Sequence, residues 1–143
     1  MDIRPLTEAY AVSPQIDPED MAAIRAAGYQ MVIDNRPDAE IPPSHHASVM
    51  QQAAEAAGLT FIINPVIGGM LTMANVEAQA KAMAAATGPV LAYCASGNRS
   101  SIVWALSQAG KLATDDLIAI PARHGYSLEG LRGQLDALAS QKG

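Results

Sequence analysis

"VLAYCASGNRSS", residues 90–101, holds the only cysteine of the chain, and the rest of the sequence is read outward from it. An apolar run ends at Cys94, a small polar loop containing Gly97 follows, and Arg99, Ser100 and Ser101 lead into a helical stretch, "SSIVWALSQA", closed by Gly110. A buried strand that delivers one side chain to a loop and then feeds a helix is the junction where α/β proteins place their ligands, at the carboxyl end of the sheet. Four residues separate Cys94 from Arg99, and that count bears on the chemistry.

On either side of this junction, short β-branched runs alternate with alanine-rich stretches of helical period. Strands are expected at "AYAVS" (9–13), "MVIDN" (31–35), "TFIINPV" (60–66) and "VLAYC" (90–94). Helices fall between and after them: "PEDMAAIRAA" with Asp17 as cap and Gly28 as stop, "ASVMQQAAEAA" up to Gly58, and "ANVEAQAKAMAAA" up to Gly88. Beyond Gly110 come "TDDLIAIPARHGY", capped by Thr114 and interrupted by Pro121, and "SLEGLRGQLDALAS", capped by Ser127. The alternation predicts an α/β fold with a mainly parallel sheet of about four to five strands flanked by helices. At 143 residues the chain reads as one domain, 1–143, long enough to bury a substantial core.

Composition narrows the function classes. Half the residues are hydrophobic, yet no uncharged apolar run approaches the ~20 residues of a membrane span, and "MDIRPLTEAY" has no apolar signal segment. A net charge of −5 with nine scattered Lys and Arg argues against nucleic acid as a partner. A single cysteine forms no internal disulfide, which suits a reducing cytoplasm, the expected location.

The loop chemistry follows from the junction. Backbone N–H groups of Ala95, Ser96, Gly97 and Asn98 can curl into an anion-binding nest, with Gly97 supplying a positive φ. The helix terminus and the Arg99 guanidinium both favour thiolate over thiol at Cys94. Arg99 can hold an oxyanion in a bidentate fork, and the Ser100 and Ser101 hydroxyls are expected to donate to the sulfur or the leaving atom. A lone cysteine ending an apolar strand is commonly a small core residue. The conjunction of strand, Cys, Gly, Arg and helix onset makes Cys94 a candidate nucleophile, with Arg99 its anion receptor.

"YCASGNRS" is similar to the active-site loops of rhodanese sulfurtransferases and cysteine phosphatases. With "SPQI" (13–16), "GYQMVIDNRPDAE" (28–40), "AAGLTFIINPV" (56–66), "GPVLAYCASGNRSSIVWAL" (88–106) and "GYSLEGL" (125–131), the chain resembles the phosphatase-like domain family of beta-lactamase-hydrolase-like proteins. The resemblance implies a fold like that of dual-specificity phosphatases. Relatives often join this domain to a metallo-beta-lactamase-fold persulfide dioxygenase, which here implies a separate persulfide-metabolising partner.

Two details separate the chemistries. Cysteine phosphatases resemble one another in a five-residue Cys–Arg spacing preceded by His, whereas this chain has four residues and Tyr93, a match to the rhodanese-like pattern. A phosphoester also needs a proton donor for its leaving oxygen, and "NPVIGGMLTMAN" after the third strand contains no carboxylate. The first expectation is therefore a sulfurtransferase carrying a persulfide on Cys94, using a small anionic sulfur donor and a thiol acceptor. The alternative is a phosphatase forming a phosphorylated Cys94, with the acid supplied by Asp34, Asp38 or Glu40 of "IDNRPDAE" and Arg36 bracing the rim. A non-catalytic anion-binding module is the third reading. No cofactor or metal is implied: His45, His46 and His124 read as surface residues. Met70 and Met73 are expected to line a pocket or the core, and Trp104 to be core.

Overall fold

The computed structural model describes residues 1–142. Its sheet contains β1 (Arg4–Pro5), β2 (Tyr10–Ser13), β3 (Met31–Asp34), β4 (Thr60–Ile63) and β5 (Val90–Tyr93), in the spatial order β1-β2-β5-β3-β4. All neighbours pair in parallel except β1, which runs antiparallel to β2. The α/β class and the mainly parallel sheet are as the sequence predicts. β1 is an addition, two residues long and carrying Pro5, which an edge strand tolerates because it leaves one ladder position without a donor. β5 is buried along its whole length, as befits an apolar strand between two parallel neighbours.

Six helices cover the sheet: α1 (Met21–Ala26), α2 (Ala47–Ala56), α3 (Met73–Ala85), α4 (Asn98–Gln108), α5 (Thr114–Ala122) and α6 (Arg132–Lys142). On one face Ala11, Val32, Leu91 and Tyr93 pack with Met21 and Ile24 of α1 and Met50 of α2. On the other, Tyr10, Val12, Ile33 and Ala92 pack with Val103 and Trp104 of α4, Leu117 of α5 and Leu135 of α6. Trp104 is core, set edge-on to Tyr10 with ring centroids 6.1 Å apart.

Several boundaries differ from expectation for local reasons. α4 begins at Asn98, because Gly97 in the left-handed region caps it without a side chain. Arg99 thereby lies in the first helical turn. Pro121 sits in the last turn of α5, and the chain resumes helix only at Arg132, after a 3-10 turn over Glu129–Leu131. Thr72 caps α3, its hydroxyl accepting from the Asn75 N–H at 3.2 Å. Met73 lines a surface cavity with Val76, Leu106 and Leu138, within the expectation of pocket or core, whereas Met70 is 65% exposed where the chain passes over the surface into α3, which corrects that expectation.

One buried polar network ties the second core face to the Cys94 loop. Asn35 donates to the Asn64 carbonyl at 2.9 Å and to Gln79 Oε1 at 3.0 Å, and its Oδ1 accepts from Ser100 Oγ at 2.9 Å. Gln79 donates to Tyr10 Oη at 3.0 Å, and Tyr10 donates to the Ser100 carbonyl at 2.9 Å. Burial pushes the Tyr10 phenol well above its usual range, so it stays a donor. Asn35→Leu keeps the volume but strands the Ser100 hydroxyl, the Asn64 carbonyl and part of Gln79. The expected cost is about 3 kcal/mol, at 1–3 kcal/mol per buried group left unpaired, read as a lower urea midpoint with unchanged slope. An unchanged midpoint would mean the network adds nothing to stability.

Candidate functional site

Cys94 is the first residue past β5, and its Sγ accepts a hydrogen bond from the Gly97 N–H at 3.1 Å. That contact needs the chain to double back over Ala95 and Ser96, and Gly97 allows it with φ +95°. A second constraint acts at the same residue. A Cβ on Gly97 would collide with Tyr126 Oη and lie 2.9 Å from Tyr126 Cζ. Tyr126, between α5 and α6, donates to the Ser96 carbonyl at 2.8 Å and accepts from Arg4 Nη1 at 2.8 Å, clamping the loop from outside. Within the loop the Asn98 N–H donates to Ser96 Oγ at 3.2 Å.

The Arg99 fork is occupied by a carboxylate of the same chain. Nη1 and Nη2 donate to Glu40 Oε2 and Oε1, each at 2.7 Å, and Nη1 also donates to the Val66 carbonyl at 2.7 Å. Arg36 contacts Glu40 Oε1 through Nε at 3.2 Å and reaches Gln15 Oε1 at 3.3 Å. Hydrogen bonds from Arg99 first, then from Arg36, hold the Glu40 carboxyl below its ordinary range. Glu40 in turn raises Arg99, with a smaller contribution from the Cys94 sulfur. In this closed arrangement Cys94 is fully buried.

Asp34 and Asp38 make no contact with Arg99; with Arg36, Pro65 and Ile67 they line a neighbouring cavity. Asp34 shares a sheet face with Val32 and Tyr93, toward α1 and α2, opposite the face that α4 covers. Its Oδ1 accepts from the Arg36 N–H at 2.8 Å, its Oδ2 has no partner of good geometry among the described residues, and burial pushes it up to about 6. Asp38 accepts from the N–H of Ala47, the first residue of α2, at 2.8 Å. The serines correct the sequence expectation: Ser100 Oγ is spent on Asn35, and Ser101 Oγ donates to the Gly97 carbonyl at 2.8 Å. His45 pairs with Asp17 at 2.7 Å and His46 with the Ile41 carbonyl at 3.2 Å.

Sequence reasoning did not find Tyr126, Arg4 or the Val66 carbonyl. The only signals were "SPQI" and "GYSLEGL", which carry Gln15 and Tyr126 without announcing a role. Beside Arg99, an apolar groove formed by Val66, Ile67, Leu71, Ile102, Leu106 and Leu131 runs along α4.

Comparison with known proteins follows from this geometry. Residues 2–111 match the family described as beta-lactamase hydrolase-like protein, phosphatase-like domain. The beta-lactamase hydrolase-like protein of Xylella fastidiosa (strain Temecula1) is 35% identical over 130 residues, 90% of this chain and 30% of that protein. The one from Agrobacterium fabrum is 31% identical over 125 residues, covering 86% and 29%. The chain thus spans about 30% of the length of these curated relatives. A crystal structure of a Neisseria meningitidis protein provisionally described as a phosphatase superposes with TM-score 0.82 at 33% identity, covering 96% of this chain and 99% of that one. P. aeruginosa TpbA in complex with pTyr gives 0.68 at 14% identity, covering 97% and 88%, a likeness of fold.

Two predictions follow from the local geometry. Gly97→Ala is expected to destabilise by about 2 kcal/mol or more through left-handed strain and the Tyr126 collision. Tyr126→Ala in the same chain should recover part of it, so a double-mutant cycle reads less than the sum; strict additivity would separate the two residues. Asp34 binds its proton more tightly folded than unfolded, since burial raises it to about 6. Its contribution is therefore most favourable below its unfolded value and is lost as pH rises through about 6. Asp34→Asn should stabilise the fold by roughly 3 kcal/mol at pH 7.5 and by little at pH 4, in urea titrations at both; a pH-independent difference would count against a buried, raised carboxyl.

Proposed function

The chain belongs to the family of beta-lactamase hydrolase-like proteins, phosphatase-like domain, and from that premise we propose that it hydrolyses phosphomonoesters through Cys94. The observation that carries the reading is the Arg99 fork: it holds a planar oxyanion by two 2.7 Å bonds, within one helical turn of the Gly97 N–H that donates to the Cys94 sulfur. In the reaction Cys94 Sγ attacks phosphorus, an S–P bond forms and the ester P–O bond breaks, the leaving oxygen taking a proton. Water then attacks phosphorus, and the sulfur leaves with its electron pair. Arg99 and the loop N–H groups not already spent on Cys94 Sγ and Ser96 Oγ hold the equatorial oxygens, where charge accumulates. The neighbouring groove, apolar and ending at Arg99, suits an aromatic body behind the phosphoryl group. Likeness of fold to TpbA in complex with pTyr supports an aryl phosphate as the class to try first. A reducing, cytoplasmic setting keeps Cys94 out of disulfides and available for attack as the thiolate.

One specific observation favours a second reading, sulfur transfer. The four-residue loop is shorter than that of cysteine phosphatases and fits a persulfide. The two chemistries leave different marks on the protein. Incubation with 4-nitrophenyl phosphate is expected to release nitrophenol, with activity lost in Cys94→Ser. Thiosulfate is expected to add no cyanide-labile sulfur, whose mass of about 32 would read on the intact protein. Cyanide-labile sulfur on Cys94 without phosphatase turnover would establish the second reading.

Arg99→Lys keeps the charge and loses the fork. Turnover should drop by one to three orders of magnitude, the effect of removing an oxyanion donor. Unchanged turnover in a folded Arg99→Lys protein would remove Arg99 from the chemistry.

A further inference from the structure

We infer that Glu40 is a substrate-displaced proton donor: it closes the anion site in the empty enzyme, and the incoming phosphoryl group, by taking Arg99, frees it to protonate the leaving oxygen. The inference rests on the reading of Arg99 as the anion receptor. Three observations carry it. Both Glu40 carboxylate oxygens are engaged by Arg99, the geometry a phosphoryl group would adopt there, so ligand and Glu40 compete for one fork. Cys94 is fully buried in this arrangement, so the site has to open before a ligand reaches the sulfur. Of the three carboxylates on the 34–40 segment, Asp34 and Asp38 line a neighbouring cavity, Asp38 engaged at the start of α2, and Glu40 is the one that contacts Arg99.

The contacts also say how Glu40 moves. Oε1 is shared between Arg99 Nη2 and Arg36 Nε, so loss of the Arg99 contact opens one end of a chain of bonds. Arg36 Nη2 holds the Glu40 backbone carbonyl at 3.5 Å and the Glu40 N–H donates to the Pro37 carbonyl at 3.1 Å, which leaves the side chain as the part free to rotate. The charged groups acting on the carboxyl are Arg99 from α4 and Arg36 from its own segment. While paired it is ionised and cannot donate. Once displaced, beside a dianion, it takes up a proton from solvent.

The steps balance. The protonated Glu40 gives its proton to the ester oxygen as the P–O bond breaks and the S–P bond forms. The resulting carboxylate accepts a proton from the water that attacks phosphorus, while the electron pair of the S–P bond returns to Cys94.

The two roles predict opposite effects of one substitution. In a Cys94→Ser background, Glu40→Gln should tighten inorganic phosphate and sulfate by the same factor, about tenfold in calorimetry, because removing a competitor raises the open fraction whatever the ligand. In the protein with Cys94, Glu40→Gln should cut turnover of an alkyl phosphate by about 10²-fold or more. 4-Nitrophenyl phosphate, whose leaving group needs little help, should lose far less, and Glu40→Asp should keep more alkyl activity than Glu40→Gln. Thermal melts of each variant confirm folding. Unchanged or weaker phosphate affinity in Glu40→Gln overturns the inference, as does an equal loss on both esters. Phosphate binding in Cys94→Ser that Glu40→Gln does not alter sinks this inference alone. Failure of phosphate to bind with or without Glu40 removes the Arg99 reading as well.

Discussion

The carboxyl end of β5 is a point where the chain parts. β2 and β3, on either side, continue toward α1 and α2 on one face of the sheet, whereas β5 turns into α4 on the other, the face that α3 also covers. Backbones that leave adjacent strands in opposite directions cannot fill the space between them, and that crevice is where open α/β sheets bind ligands. The candidate site stands at it. Cys94 and Arg99 come from the β5 side, Arg36 and Glu40 from the β3 side, and Gln15 follows β2.

The turn itself allows little substitution. Gly97 is required twice, by its positive φ and by the Tyr126 ring packed against it. The same residue donates to the sulfur and caps α4, so backbone geometry, nucleophile and helix onset are fixed by one position. Behind the turn, Asn35, Gln79 and Tyr10 hold the Ser100 backbone and hydroxyl from the core. Tyr126 and Arg4 hold Ser96 from the outside. A loop braced on two sides keeps its N–H groups aimed before any ligand arrives, which is what makes such groups effective in electrostatic stabilisation.

Much of this was legible in the sequence, and the exceptions have a common cause. The four longer strands are apolar, β-branched runs bounded by turn residues, so periodicity alone places them within a few residues. β1 has two residues and no pattern to detect. The onset of α4 was misplaced because its cap is a left-handed glycine and not a side-chain acceptor. Cys94, Gly97 and Arg99 stand close in sequence and were found together. Ser100 was assigned to the sulfur because its true acceptor, Asn35, is 65 positions away. Asp34, Asp38 and Glu40 were equivalent as letters; sheet alternation and the first N–H of α2 claim two of them, and only the folded chain brings the third across 59 positions to Arg99. What depends on local pattern was readable, and what depends on which distant group arrives first was not.

The charge balance of the crevice gives the closed state its meaning. Two guanidiniums face one carboxylate there, in a chain whose net charge is −5, and the α4 terminus adds a further partial positive charge. A dianion seated on Arg99 with Glu40 still ionised would set three negative charges against those two cations, before the sulfur is counted. Uptake of one proton by Glu40 restores two against two. A monoanion reaches the same balance with Glu40 ionised and provides no such drive. On the reading of Glu40 as proton donor, the charge of the ligand, more than the pH of the solvent, would set its protonation state. On that reading the site would admit several oxyanions but arm its proton donor only for a doubly charged one.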